Sequence, residues 1–289
     1  MSSPESSPES HDYVVDAEDA VETMRLIEQD QLTTREIGGL FPEQFDLSQV
    51  RQVLDIGCGP GGWVTDFAFV HPHMDVVGID ISATMVKYAF ATARARNLQN
   101  VSFEIMDARQ PLAFPDAAFD FVNARFILGF MDQGTWPSLL REAFRILRPG
   151  GILCLTEPEI VLSNSAALNQ LQSYLYQAFS RQGRTFAPDG RSYGITFLFN
   201  TLLREAGFVE LGRKPFFLDA SYGTTSYYPG TKNFETLFPM LKPFITHAGL
   251  ADETAYEHAY QTLLIDMLRE TYICVTYGLT AWGIKPAAS

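Results

Sequence analysis

The run Val53-Leu54-Asp55-Ile56-Gly57-Cys58-Gly59-Pro60-Gly61-Gly62-Trp63 decides the fold of this 289-residue chain. A short apolar segment stops at glycines and is followed by a helical pattern over 62–70, which reads as strand, tight turn, helix. Gly57, Gly59 and Gly62 have the spacing of glycine loops that carry a strand into a helix past a bound nucleotide. Glycine is needed there because the turn demands dihedrals that other residues avoid, and because the backbone must approach the ligand closely.

The same rhythm runs outward from this segment. Strands are predicted over 74–81, 101–106, 119–124 and 152–156. Between them, Ser82 can cap a helix whose Met85, Val86, Ala89, Phe90 and Ala93 share a face, and 136–147 forms another helix closed by Arg148-Pro149-Gly150-Gly151. Such alternation predicts an α/β fold, a doubly wound and mostly parallel sheet with helices on both faces. Helical patterns over 166–181 and 197–206 follow, then strands over 208–218 and 272–284. The stretch between those two strands, 219–271, is far longer than a strand pair requires, and its part 253–269 is helical. We read it as a lid insertion over the ligand crevice. Upstream, residues 16–49 form a helical cap and linker, with Ala17, Val21, Met24 and Ile27 at helical spacing to about Gln31. Residues 1–15, with a doubled Ser-Ser-Pro-Glu, read as a disordered leader and not a signal peptide. The main domain is then 50–289.

Composition narrows the function classes. With 21 Lys and Arg against 34 Asp and Glu, the net charge is −13, so the surface repels a polyphosphate backbone and nucleic acid is not expected as a partner. No run approaches the roughly 18 apolar residues of a membrane span. The three cysteines, Cys58, Cys154 and Cys274, have neither disulfide-framework nor metal-knuckle spacing, which fits a reducing, cytoplasmic setting. No metal site is expected, because no His, Cys or carboxylate cluster has ligand spacing.

Acidic residues close three successive predicted strands. Asp55 precedes the first glycine, Asp80 ends the second strand, and Asp107 with Ala108 ends the third. Each alone could simply start a loop; together they mark the carboxyl edge, where open α/β sheets bind ligands. A carboxylate at Asp55 would repel a pyrophosphate on the loop but suits a cationic ligand. S-adenosylmethionine, with an ammonium, a sulfonium and no phosphate, therefore fits better than NAD. Asp80 could accept both ribose hydroxyls, and Asp107 could reach the adenine amino group.

These residues resemble the class I S-adenosylmethionine-dependent methyltransferases, in particular the branch that methylates small molecules such as quinone precursors and natural products. The resemblance rests on Leu54-Asp55-Ile56-Gly57-Cys58-Gly59-Pro60-Gly61, Val77-Gly78-Ile79-Asp80-Ile81-Ser82 and Met106-Asp107-Ala108. It continues through Phe114-Pro115-Asp116 with Phe119-Asp120-Phe121-Val122, and the run from Glu142 to Gly151. It spans 50–158 and, more weakly, Ala206-Gly207-Phe208. It implies a Rossmann-like seven-stranded sheet with an antiparallel last strand. Asp55, Gly57, Cys58 and Gly59 would hold the methionine portion, Asp80 the ribose, and Ile81 and Met85 the adenine faces. Asp107 and Ala108 would hold the adenine edge, Asn123 and Arg125 the methionine part and acceptor, and Arg25 on the cap the cofactor carboxylate. Many relatives carry histidine near 128–130, where this chain has Leu128-Gly129-Phe130.

The expected reaction is in-line methyl transfer to O, N or C of a small apolar metabolite, leaving S-adenosylhomocysteine. Alignment of nucleophile and methyl supplies much of the acceleration, and a base is needed only for a protonated, weakly acidic acceptor. Glu157, His247 and Arg125 are the catalytic candidates, with Glu159 beside Glu157. Glu157, Tyr193, Tyr227, Tyr228 and Phe238 are the candidate acceptor pocket, although aromatic residues also serve as core. The alternative is a protein of this fold that binds the cofactor without transferring methyl, as a cyclase or regulatory binder.

Overall fold

The computed structural model describes Val15, residues 18–42 and residues 45–287. The leader expected over 1–15 lies outside the described residues except for Val15.

The chain opens with α1 (Ala20–Ile37), then β1 (Gln52–Ile56), α2 (Gly62–Val70), β2 (Asp75–Asp80), α3 (Ala83–Ala95), β3 (Val101–Ile105) and β4 (Phe119–Arg125). A short 3-10 turn (Ile127–Gly129) leads to α4 (Thr135–Ile146), β5 (Leu147–Ser163), α5 (Ala166–Arg181), α6 (Ile195–Glu205) and β6 (Val209–Asp219). Two helices, α7 (Tyr227–His247) and α8 (Glu253–Met267), separate β6 from β7 (Cys274–Ile284). The seven strands form one sheet in the order β3-β2-β1-β4-β5-β7-β6. Neighbours from β3 to β5 are parallel, and β7 runs antiparallel to both β5 and β6. The order reverses between β1 and β4, and open α/β sheets bind ligands in the crevice at such a switch point.

Two-sided burial explains the apolar strand runs. Val53, Phe121 and Cys154 face one core, where Trp63 and Phe67 stack at 4.7 Å between ring centroids. The alternate residues Leu54, Val122 and Leu155 face the other and larger core. The period of two along each strand sends side chains to both faces, so each face needs its own helical cover. β5 is much longer than the five residues its apolar run predicts, because antiparallel β7 continues the pairing as far as Ser163 with Cys274.

The cap helix corrects one expectation. α1 runs to Ile37, where left-handed Gly38 ends it, and its apolar stripe is turned outward, with Val21 and Met24 exposed. The buried side is polar at its start, with Glu22, Thr23 and Arg25. That polar side is satisfied internally: Glu22 accepts from Arg25, and Thr23 donates to Met85 Sδ.

The insertion is a helical pair in which α7 packs on α1 and α8 on α5. α7 carries Pro239 and Pro243 in its interior. Pro239 has no N–H to donate one turn back, which leaves the Glu235 carbonyl without its helical donor. The Tyr260 hydroxyl of α8 donates to that carbonyl at 3.0 Å, and the Tyr256 hydroxyl donates to the Phe238 carbonyl at 2.7 Å. α8 thus repairs the helix that proline would break. No helix among the described residues is long and apolar enough to cross a membrane.

Candidate active site

A cavity of about 140 Å³ opens over the glycine loop at the switch point. Gly57, Gly59 and Gly61 have φ of 69°, 51° and 78°. A Cβ on Gly57 would stand 2.9 Å from Ile127 Cγ2, and one on Gly61 would stand 2.6 Å from Ala89 Cβ. One on Gly62 would strike the Asp30 carboxylate. Dihedral and space both therefore demand glycine in this loop, and the backbone it leaves bare lines the cavity.

Asp80 stands at the end of β2 on the cavity wall. Its carboxylate accepts from the Gly59 N–H and the Ser82 N–H, each at 2.9 Å, and burial pushes its pKa up. Each oxygen keeps lone-pair capacity for a further donor. Ile81, Met85 and Met106 give the same wall an apolar surface, and Asp107 with Ala108 closes it. Partial burial acts to raise the Asp107 carboxyl, but the Arg109 guanidinium at 3.0 Å prevails and holds it below the usual range. Cys58 also lines this cavity, its thiol pushed up by burial.

Two of the expected contacts lie one layer deeper. Asp55 is 4% exposed and absent from the cavity wall; it accepts from Asn123 Nδ2 at 2.7 Å. Burial pushes its carboxyl up to about 7, against the Asn123 hydrogen bond. Asn123 is buried with it, and its Oδ1 has no partner. Neither residue of the pair lines the cavity. Arg125 does line the cavity, where it pairs with Asp30 and donates to Thr34 Oγ1 at 3.0 Å.

A second cavity, of about 180 Å³, adjoins the first behind α1. Leu26, Gln29, Thr33 and Phe126 line both cavities and form the wall between them. Phe126 holds φ at 58°, a left-handed conformation unusual for an aromatic residue, at the point where β4 gives way to the 3-10 turn. Most of the second lining is apolar, drawn from α5, β6 and α7.

Of the expected pocket residues, only Tyr193 lines this cavity. Phe238 faces the core one helical position away from Leu237, which does line it. Tyr227 donates its hydroxyl to the Met267 carbonyl at 2.8 Å, and Tyr228 is 74% exposed. His247 is exposed at the end of α7 and lines neither cavity. Arg25 lines the second cavity and not the first, its guanidinium forked onto Glu22 at 2.6 and 2.7 Å. Glu157 is fully buried and on neither wall; one oxygen accepts from the Ile127 N–H at 2.7 Å and the other has no partner. Burial raises its carboxyl well above the usual carboxylate range. Glu159 caps α6, accepting from the Gly194 and Thr196 N–H groups.

Of α1, only Arg25 is expected from the sequence as a site residue. Leu26, Gln29, Asp30 and Thr33 recur at helical spacing, which was the available signal, but it was polar and so not read as an inward face. Among the described residues no group of His, Cys, Asp and Glu could hold a metal.

Known proteins share this arrangement. A family described as a methyltransferase domain matches residues 53–151, the segment that carries the glycine loop and all three strand-end aspartates. Over this segment the chain is similar to methyltransferase domains. Among its methyltransferase relatives, phosphoethanolamine N-methyltransferase 1 of Arabidopsis thaliana is 32% identical over 182 residues, covering 62% of this chain and 32% of that protein. Demethylmenaquinone methyltransferase of Geobacillus kaustophilus is 27% identical over 203 residues, covering 65% of this chain and 82% of that protein. The chain thus spans about a third of the plant relative it matches. In fold the chain is similar to YcgJ from Bacillus subtilis, with TM-score 0.51 at 20% identity over 82% of this chain and 93% of the other. A phosphoethanolamine N-methyltransferase 2 of Haemonchus contortus, solved with phosphomonomethylethanolamine and S-adenosylhomocysteine, gives 0.52 at 17% identity over 93% and 57%.

Proposed function

We propose that this protein transfers the methyl group of S-adenosylmethionine to O, N or C of a small, apolar acceptor. The observation that carries the reading is the shared wall. Two cavities of similar size meet at Leu26, Gln29, Thr33 and Phe126, one floored by the glycine loop and the other mainly apolar.

The residues present fit the cofactor. Asp80 keeps acceptor capacity at the rim for a ribose diol, Ile81, Met85 and Met106 offer apolar faces to adenine, and Asp107 with Ala108 meets its edge. The bare backbone of Gly57 and Gly59 takes the methionine portion, with the field of Asp55 beneath it favouring a cation. Bound S-adenosylmethionine supplies an electrophilic methyl carbon. The chain's own part is to hold the acceptor atom in line with that carbon and to exclude water, a contribution that positioning alone can make large. Thr33 Oγ1, buried on the shared wall without a partner, is placed to orient the attacking atom. The α7–α8 insertion serves as the lid, and Asn233 of α7 latches onto Arg25 of α1 at 2.8 Å.

The test is release of S-adenosylhomocysteine when the purified protein is incubated with S-adenosylmethionine and a panel of uncharged aromatic acceptors. Tight cofactor binding with no S-adenosylhomocysteine from any of them would favour the non-transferring alternative.

A further inference from the structure

The second cavity carries one charge among its described lining residues, Arg25, and that guanidinium is already engaged on every side. Glu22 takes two of its nitrogens, while Gln29 and Asn233 accept from the third. Glu22 and Arg25 are both buried, so the pair cancels without solvent and leaves the cavity electrically neutral. A phosphate placed here would meet no free donor cation and would lose its hydration.

Besides Thr33 on the shared wall, a second polar group in this cavity is unspent. Gln172 of α5 is 5% exposed and lines the second cavity but not the first, and its Oε1 has no hydrogen-bond partner. A buried amide oxygen left alone is disfavoured, and it is relieved by a ligand group that donates to it. Around it the wall is apolar, with Leu175 and Phe179 on the same helix face.

Resting on the methyl-transfer reading, we propose that the acceptor is an uncharged, largely apolar molecule whose hydroxyl donates to Gln172, making Gln172 a specificity-determining residue. Because Gln172 is not part of the wall shared with the cofactor cavity, the hydroxyl it holds is an anchor and not the methylated atom. The acceptor therefore carries its nucleophile elsewhere on its frame, and its phosphorylated or carboxylated analogues are excluded.

Three probes test this by calorimetry at saturating S-adenosylhomocysteine: 1-naphthol, 1-methoxynaphthalene and 1-naphthyl phosphate. The wild-type protein is expected to bind 1-naphthol about tenfold more tightly than 1-methoxynaphthalene, the loss that follows from leaving a buried acceptor unpaired. It should bind the phosphate more weakly than either. Gln172→Met, similar in volume but without the acceptor, should bind the two uncharged probes equally while keeping its S-adenosylhomocysteine affinity and thermal midpoint. If that variant does not fold, the wild-type preference decides alone. Equal affinity for the uncharged probes in the wild type, a preference that survives in Gln172→Met, tighter binding of the phosphate, or no binding of any probe overturns the proposal. Failure of S-adenosylhomocysteine itself to bind is a separate result and removes the methyl-transfer reading instead.

Discussion

Arg125 pairs with Asp30 across the wall of the first cavity, tying the end of β4 to the middle of α1. The Arg125 side chain is 7% exposed and its Nη1 has no partner, whereas Asp30 is partly open and pushed up by burial. The two halves of the pair are not equivalent when separated. A guanidinium cannot shed its proton, while a buried carboxyl can take one up. Asp30→Asn should therefore lower stability by about 3 kcal/mol and Arg125→Met by less, as read from urea unfolding. The reverse ranking would contradict this account of the pair.

Asp55 makes stability depend on pH in an unusual direction. Its carboxyl titrates near 7 in the folded chain against an ordinary value of 3.8, so within that window the folded state binds the extra proton. Stability contributed by the protonated form is fully present below about pH 4 and is lost as pH rises through 7. Unfolding free energies of the ligand-free wild type, from urea titrations, should fall relative to Asp55→Asn between pH 4.5 and 7.5, by a total of a few kcal/mol (~4 at most). A constant difference between the two proteins would show that Asp55 does not titrate there. A cation bound above the loop favours the charged form, so affinity for S-adenosylmethionine should rise over pH 6–8 in the wild type and stay flatter in the variant.

Gly57 and Gly183 share a φ of 69° but differ in surroundings. A Cβ on Gly57 meets Ile127 Cγ2 at 2.9 Å, and one on Gly183 meets nothing within 4 Å. Gly183→Ala should cost only the left-handed dihedral, about 1–2 kcal/mol, and leave cofactor affinity untouched. Gly57→Ala adds a clash in the loop and should weaken S-adenosylhomocysteine binding at least about tenfold. Calorimetry on both variants separates the two effects; equal behaviour would mean that the loop tolerates a side chain.

Tyr256 is buried and donates to the Phe238 carbonyl at 2.7 Å in the proline-bearing stretch of α7. Tyr256→Phe should lower stability by about 1–2 kcal/mol with no change in S-adenosylhomocysteine affinity, since the hydroxyl supports α7 and lines neither cavity. A loss of affinity without a loss of stability would place Tyr256 in the site instead.

What the residues announce in advance depends on the reach of the interactions. The glycine loop, Asp80 and Asp107 are legible because the turn chemistry that fixes them is contained within a few neighbours. The contacts of Asp55 were misjudged because a strand-end position says which edge a residue occupies, not whether the loop after it closes over the top. The buried face of α1 was misread, since partners of its polar side, such as Met85 for Thr23 and Asn233 for Arg25, are distant in the chain. α7 escaped notice because the carbonyl that Pro239 leaves open is satisfied by Tyr260 of α8, in a different helix. The pocket aromatics were guessed by type; helical phase then sends Phe234 inward and Tyr228 to solvent.

Titration of S-adenosylhomocysteine into the wild type and Asp80→Ala tests the central claim, that the cavity over the glycine loop holds this cofactor. The wild type should bind, and loss of the Asp80 carboxylate should weaken binding by about tenfold to a hundredfold, the range for hydrogen bonds to a charged group. Unchanged affinity in the variant, or a wild type that binds NADH and neither S-adenosylhomocysteine nor S-adenosylmethionine, would contradict it.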